Sequence, residues 1–164
     1  MKALTVYQPW ASLIMIGAKP HEFRGWDYRA REPGLAGQRI VIHAASRAIQ
    51  RGEVEDLMAR ILAGDTSLVG DLALPLLDKI ASAHGYRGVV KMSAGLGTAT
   101  LGEPRTVADL FGGKGHDSAR LSHHLWAWPL TDVATFPQPV PCRGMQGFWR
   151  WPFPHDAVHD RRIA

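Results

Sequence analysis

The sequence predicts an α+β fold: a small mixed β-barrel with a buried N-terminal helix and a helical insertion around residues 47–84. Three observations predict it. Short β-branched or alternating segments recur towards both ends of the chain, one helical run with apolar residues all around lies near the start, and the middle switches to helical spacing with acidic residues. The chain has 164 residues, one domain's length and enough to bury a core without covalent staples. Its 46% apolar and 21% charged residues are those of a globular domain rather than a disordered one.

Each element has its own signal. Lys2 to Val6 reads as a strand. Gln8-Pro9-Trp10 opens a helix through Ala11–Ile16, with Pro9 suited to a first turn and Gly17 to the stop. Because its apolar residues run all around, that helix is expected to be packed on more than one side. His21–Trp26 alternates polar and apolar residues, which places Glu22, Arg24 and Trp26 on one face of a half-exposed strand. Residues 29–38 carry Pro33, Gly34 and Gly37 and read as a loop, and Arg39–His43 is a strong strand. Residues 53–62 and 74–84 follow as helices, the first with acidic residues in its opening turn, the second with Pro75 near its start. Strands return at 88–92, 97–101, 125–130 and 147–151. Trp126, Trp128, Trp149 and Trp151 alternate along the last two, so one face of each pair is expected in the core. Residues 1–154 read as a single domain and 155–164 as a loosely held polar tail.

Charge is distributed unevenly. Residues 1–51 carry eight Lys/Arg against three Asp/Glu (+5), residues 52–84 two against six (−4), and residues 85–164 nine against six (+3). An anion site is therefore expected from the two ends rather than the acidic middle. No apolar run approaches the ~20 residues that span a bilayer, and the interrupted start does not read as a signal peptide. The single cysteine, Cys142, forms no internal disulfide and suits a reducing compartment. A cytoplasmic protein without membrane contact is expected.

The densest chemistry lies at Gln8-Pro9-Trp10-Ala11, Gly17-Ala18-Lys19 and Glu22, Arg24 and Trp26. A lysine, a carboxylate and an arginine beside tryptophans suit a flat, polar or anionic ligand, because Arg pairs with phosphates and base edges and Trp offers a stacking face. The plain alternative is a solvated charged surface over core tryptophans. In the same region, Val6-Tyr7-Gln8-Pro9-Trp10-Ala11-Ser12-Leu13-Ile14 with Lys19, Glu22-Phe23-Arg24 and Trp26 resembles the opening motif of the activating signal cointegrator homology (ASCH) domain. Ile40–Ala45 looks like the strand that follows in that family, and Pro139–Trp149 like its closing segment. The three motifs cover about a third of the chain and stand in the family's order.

The resemblance implies a barrel similar to the PUA domain and a cleft beside the first helix that binds RNA, another nucleic acid or a modified nucleoside. Its ligand positions fall on Lys19, Glu22 and Arg24, with Gln8 and Trp10 beside them. Some small bacterial relatives are amidohydrolases that deacylate acetylcytidine with a lysine, a threonine three residues later and a distant glutamate. Here Lys19 stands at the lysine position, Glu22 takes the place of the threonine, and the distant glutamate has no placed match. If this chain is an enzyme, a nucleoside amidohydrolase or a ribonuclease, Lys19 and Glu22 are its candidate acid–base pair. A third reading makes the acidic helices of 53–84 the docking face for a protein partner.

The remaining candidates are weaker. His43 ends a core strand and either faces the cleft or is a satisfied structural histidine. Arg143 and Gln146 flank Gly144, where backbone freedom would let a phosphate or base edge approach; a plain turn before the last strand explains the same residues. A basic neighbour, Arg143, would favour a Cys142 thiolate. His123-His124 and His155/His159 are poorly spaced for one ion, and no metal is expected. Gly112-Gly113-Lys114-Gly115 lacks the order of a phosphate-binding loop, and no cofactor is expected.

Overall fold

In the computed structural model, residues 1–83, 88–112, 115–119 and 125–153 are described. The expected tail, His123-His124, Lys114 and His84 lie outside them.

The molecule is mixed α+β. Its strands are β1 (Lys2–Val6), β2 (His21–Arg24), β3 (Arg39–Ala44), β4 (Ala94–Leu101), β5 (Arg105–Thr106), β6 (Trp126–Pro141) and β7 (Phe148–Arg150). They form a seven-stranded sheet in the order β2-β6-β4-β3-β1-β7, with β5 also paired to β6, curled into a half-barrel. The helices are α1 (Trp10–Met15), α2 (Arg51–Ala63), α3 (Gly70–Ser82) and α4 (Val107–Phe111).

The parallel pair β1/β3, in register from Lys2↔Ile40 to Val6↔Ala44, needs a crossover. The chain supplies it through α1 and β2, so α1 is pressed onto the sheet and the Lys19–Arg24 segment crosses to the far edge beside β6. Side chains alternate along the central strands. Leu4, Val6, Ile40 and Ile42 join α1, α2 and α3 in the main core, while Ala3 and Val41 point to a second cluster with Phe136, Trp149 and Trp151. Thr5 and His43, opposite each other in register, share that second face.

Several expectations shift. Residues 88–92 form turn rather than strand: Val90 is buried, but its backbone has no neighbouring strand, and the Lys91 carbonyl accepts a hydrogen bond from the Gln8 amide. α3 begins at Gly70, leaving Pro75 inside it. β5 and α4 were not expected; Thr106 caps α4 by accepting from the Asp109 N–H. The final long strand runs sixteen residues to Pro141 rather than stopping at Leu130. Trp26 does not continue β2: the chain bends after Arg24, and the Trp26 ring packs edge-on against Trp128 and Phe148. Trp128, Trp149 and Trp151 are buried. No described helix is long and apolar enough to cross a membrane.

Candidate functional site

The end of α1 is where the local sequence builds the site. Gly17 takes a positive φ of 75°, which a residue with a Cβ resists, and the chain reverses so that the Lys19 N–H donates to the Leu13 carbonyl. Lys19 is thereby fixed under α1 rather than extended into water, and only 2% of its side chain is exposed.

Lys19 forms a buried ion pair with Asp117, and its Nζ lies 3.4 Å from Glu22 Oε2. Arg24 Nη2 reaches Glu22 Oε1 at 2.9 Å and also donates to the Thr5 carbonyl at 3.2 Å. Two cations and two carboxylates therefore make a charge-balanced floor. Burial pushes the Asp117 carboxyl above its ordinary value of 3.8, against the pull of Lys19 and with the help of Glu22. Trp10 closes one side, its indole N–H donating to the Asp117 carbonyl at 2.9 Å.

This floor opens into a cleft of about 1050 Å³. Across it stands a hydrogen-bonded chain from the second face of the sheet. Trp149 Nε1 donates to Thr5 Oγ1 at 3.0 Å, and His43 Nε2 donates to the Cys142 carbonyl at 3.0 Å. The Thr5 hydroxyl proton is then left for His43 Nδ1, 3.4 Å away. His43 is thus a hydrogen-bonded neutral imidazole in the cleft wall. Gly144 lies against this pair: a Cβ there would stand 2.5 Å from His43 Cε1 and 2.7 Å from Thr5 Oγ1. The need for glycine at 144 is thus close approach rather than backbone freedom.

Of the expected site residues, Trp10, Lys19, Glu22, Arg24, His43, Arg143 and Gln146 line this one cleft. Trp26 does not, since it belongs to the core aromatic group. Gln8 is fully buried and spent on structure, donating to the Lys91 carbonyl and accepting from the Ser12 N–H. Burial raises the Cys142 thiol pKa, so the basic neighbour does not make it a thiolate. Asp117 and Tyr7 are among the lining residues that the sequence does not single out as candidate ligands. Tyr7 sits inside the opening motif and could have been found there. Among the described residues, no group of three or more His, Cys, Asp or Glu side chains is placed to hold a metal ion.

Burial holds the His43 imidazole below its ordinary 6.5, outweighing the Cys142 carbonyl. His21 is lowered likewise, by burial and then by the charge on Lys19. The unfolded chain takes up these protons more readily, so their contribution to stability is complete above pH 6.5 and is lost as pH falls below it. Asp117 acts with the opposite sign in a window that starts at its ordinary 3.8. Thermal unfolding of wild type and His43→Gln between pH 5 and 7.5 separates the two. The wild-type midpoint is expected to fall more steeply on acidification than the variant's, and equal slopes would remove His43 as a source.

Neither the protein-family models nor the curated proteins compared with this chain give a match.

Proposed function

We propose that the chain is an ASCH-type, PUA-like domain that binds RNA or a modified nucleoside in this cleft. The observation that carries the reading is convergence. Lys19, Glu22 and Arg24 from the α1–β2 segment meet Arg143 and Gln146 from the segment before β7 in one cavity. These are the two segments whose sequences resemble that family's opening and closing motifs.

The geometry suits a base edge. Lys19 is a donor and Glu22 an acceptor 3.4 Å apart, matching the adjacent acceptor and donor that a nucleobase presents. The Glu22 carboxylate keeps lone pairs beyond those used by Lys19 and Arg24. Because the floor is balanced, it favours a neutral polar group. Arg143, exposed beside the cleft, is the cation placed for a phosphate.

The test is equilibrium binding of the four ribonucleosides, N4-acetylcytidine and short single-stranded RNA across a salt series. Arg143→Ala should weaken RNA uniformly and reduce the salt slope by about one, whereas Glu22→Gln should change the preference among bases. Affinities unchanged in both variants would reject the site.

A second reading has one observation in its favour: Asp117, whose carboxyl burial pushes above its ordinary value, is paired with Lys19 beside Glu22. Such a pair can exchange a proton with an acylated nucleoside, and hydrolysis of the acetyl amide would be the reaction. Release of cytidine from N4-acetylcytidine by wild type, and its loss in Asp117→Asn, would select this reading over a pure binder.

A further inference from the structure

The geometry points to a second chemistry in the same cleft: Thr5 and His43 form a nucleophile–base pair that cleaves small acyl esters through an acyl-Thr5 intermediate. It uses neither Lys19 nor Glu22 and stands apart from the nucleoside reading above.

β1 and β3 run parallel with Thr5 and His43 paired in register, so both side chains leave the same face of the sheet. Both line the cleft. Their hydrogen bonds have one consistent arrangement. His43 Nε2 donates to the Cys142 carbonyl at 3.0 Å, which leaves Nδ1 of the neutral imidazole as an acceptor, 3.4 Å from Thr5 Oγ1. Such contacts are often this loose before a substrate is bound. A hydroxyl, a base beside it and a third group that orients the base are the parts of an activated alcohol. Here the third group is a backbone carbonyl.

The surroundings suit the reaction. His43 is only 1% exposed and the Trp149 ring packs edge-on against it at 5.5 Å, so the base is held in place. Burial keeps its pKa below the ordinary 6.5, which leaves it free to accept a proton at neutral pH. Thr5 is half-buried. The Trp149 indole N–H donates to the same Oγ1 at 3.0 Å, and this donor stays in place to steady the oxygen as its proton moves away. A Cβ on residue 144 would stand 2.7 Å from Oγ1, so Gly144 keeps the approach clear. Arg24 Nη2 donates to the Thr5 carbonyl at 3.2 Å, which puts a cation beside the residue that would carry a tetrahedral anion.

The reaction has two halves. Thr5 Oγ1 attacks the ester carbonyl carbon while His43 Nδ1 takes its proton; the carbon–alkoxy bond breaks, and the alcohol leaves with that proton. Water then attacks the acyl-Thr5 ester and gives a proton to His43 Nδ1. The bond from Oγ1 to the acyl carbon breaks, Oγ1 recovers the proton, and a carboxylic acid departs. A secondary alcohol activated by a weak base suits an ester, whose alcohol leaves more readily than an amine. Gly144 and the Trp149 indole crowd Oγ1 and favour a short acyl chain.

The test incubates wild type, Thr5→Ser, Thr5→Val and His43→Gln with p-nitrophenyl acetate. Nitrophenol release is followed, and acid-quenched protein is mapped by peptide mass spectrometry. Wild type is expected to turn the ester over and to carry an acetyl group on Thr5, and Thr5→Ser, which keeps a hydroxyl, should carry it at the same position. His43→Gln, which keeps a donor for the Cys142 carbonyl, should lower turnover about 100-fold or more, the lower range for losing a general base. Thr5→Val should lose turnover and acetyl together; should it fail to fold, the other two variants and the mapped acetyl decide. No turnover by wild type, acetyl absent from Thr5, or a rate unchanged in His43→Gln overturns the pair. Each of those results leaves the nucleoside reading standing.

Discussion

Replacing Lys19 with alanine is expected to cost about 3–5 kcal/mol of unfolding free energy, the range for removing one partner of a buried ion pair. The size follows from what would remain. Asp117 and Glu22 are both buried, and Lys19 is the ammonium they share. Glu22 would keep Arg24 at 2.9 Å, but Asp117 would lose its direct ion pair and keep only the longer-range attraction of Arg60. With 2% of the lysine side chain exposed, water does not screen the loss as it does for a surface pair. Urea denaturation of Lys19→Ala should show the full cost. The double variant Lys19→Met with Asp117→Asn should recover most of it, because the stranded charge goes with its partner. A single-variant cost below about 1 kcal/mol would mean that the cluster is open to solvent and the charge-balanced floor is wrong. The same logic governs any binding study. A loss of affinity in Lys19→Ala is informative only beside the double variant, which separates a vanished contact from a damaged fold.

The pieces legible in the sequence were those with a local signature. β1, α1, β2 and β3 each announce themselves by period or by a terminator such as Gly17, and Lys19, Glu22 and Arg24 follow within that stretch. Asp117 was not legible, because what matters about it is a contact with a residue 98 positions earlier, and its neighbours form neither helix nor strand. Trp26 falls off the expected face because the period-two alternation of the sequence outlasts the strand, which ends at Arg24. The second half of β6 was hidden by Pro137, Pro139 and Pro141. Proline usually argues against a strand interior; Pro137 and Pro139 fall where the pairing with β4 shifts register, between Thr135 opposite Gly97 and Val140 opposite Gly95, and Pro141 is the last residue of the strand, opposite Ala94. At Gly144 the sequence suggests backbone freedom, but the structure uses a different property. Its value lies in the absent Cβ beside His43, which no local pattern encodes.

Replacing Gly97 with valine is expected to be the most damaging change away from the charged floor, at about 3 kcal/mol or more, the upper end of overpacking costs. Gly97 lies in β4, opposite Thr135 of β6. A Cβ at this position would stand 2.3 Å from the Ala134 carbonyl oxygen, 2.3 Å from Met15 Cε and 2.8 Å from Thr135 Cα. A methionine tip can swing aside, but strand backbone on the other side cannot without breaking the pairing. The missing side chain therefore lets Met15, the last residue of α1, rest directly on the sheet, and α1 in turn fixes Lys19 through the Leu13 carbonyl. Gly97→Ala should already lower the denaturation midpoint, and Gly97→Val should lower it further. Adding Met15→Ala to Gly97→Ala should restore only part of the loss, because it clears the flexible contact and leaves the carbonyl in place. Full restoration would show that the helix, and not the neighbouring strand, sets the limit. In either case the change should reach the cleft. A helix lifted at Met15 moves the turn that holds Lys19, and the 3.4 Å spacing of Lys19 and Glu22 depends on that turn.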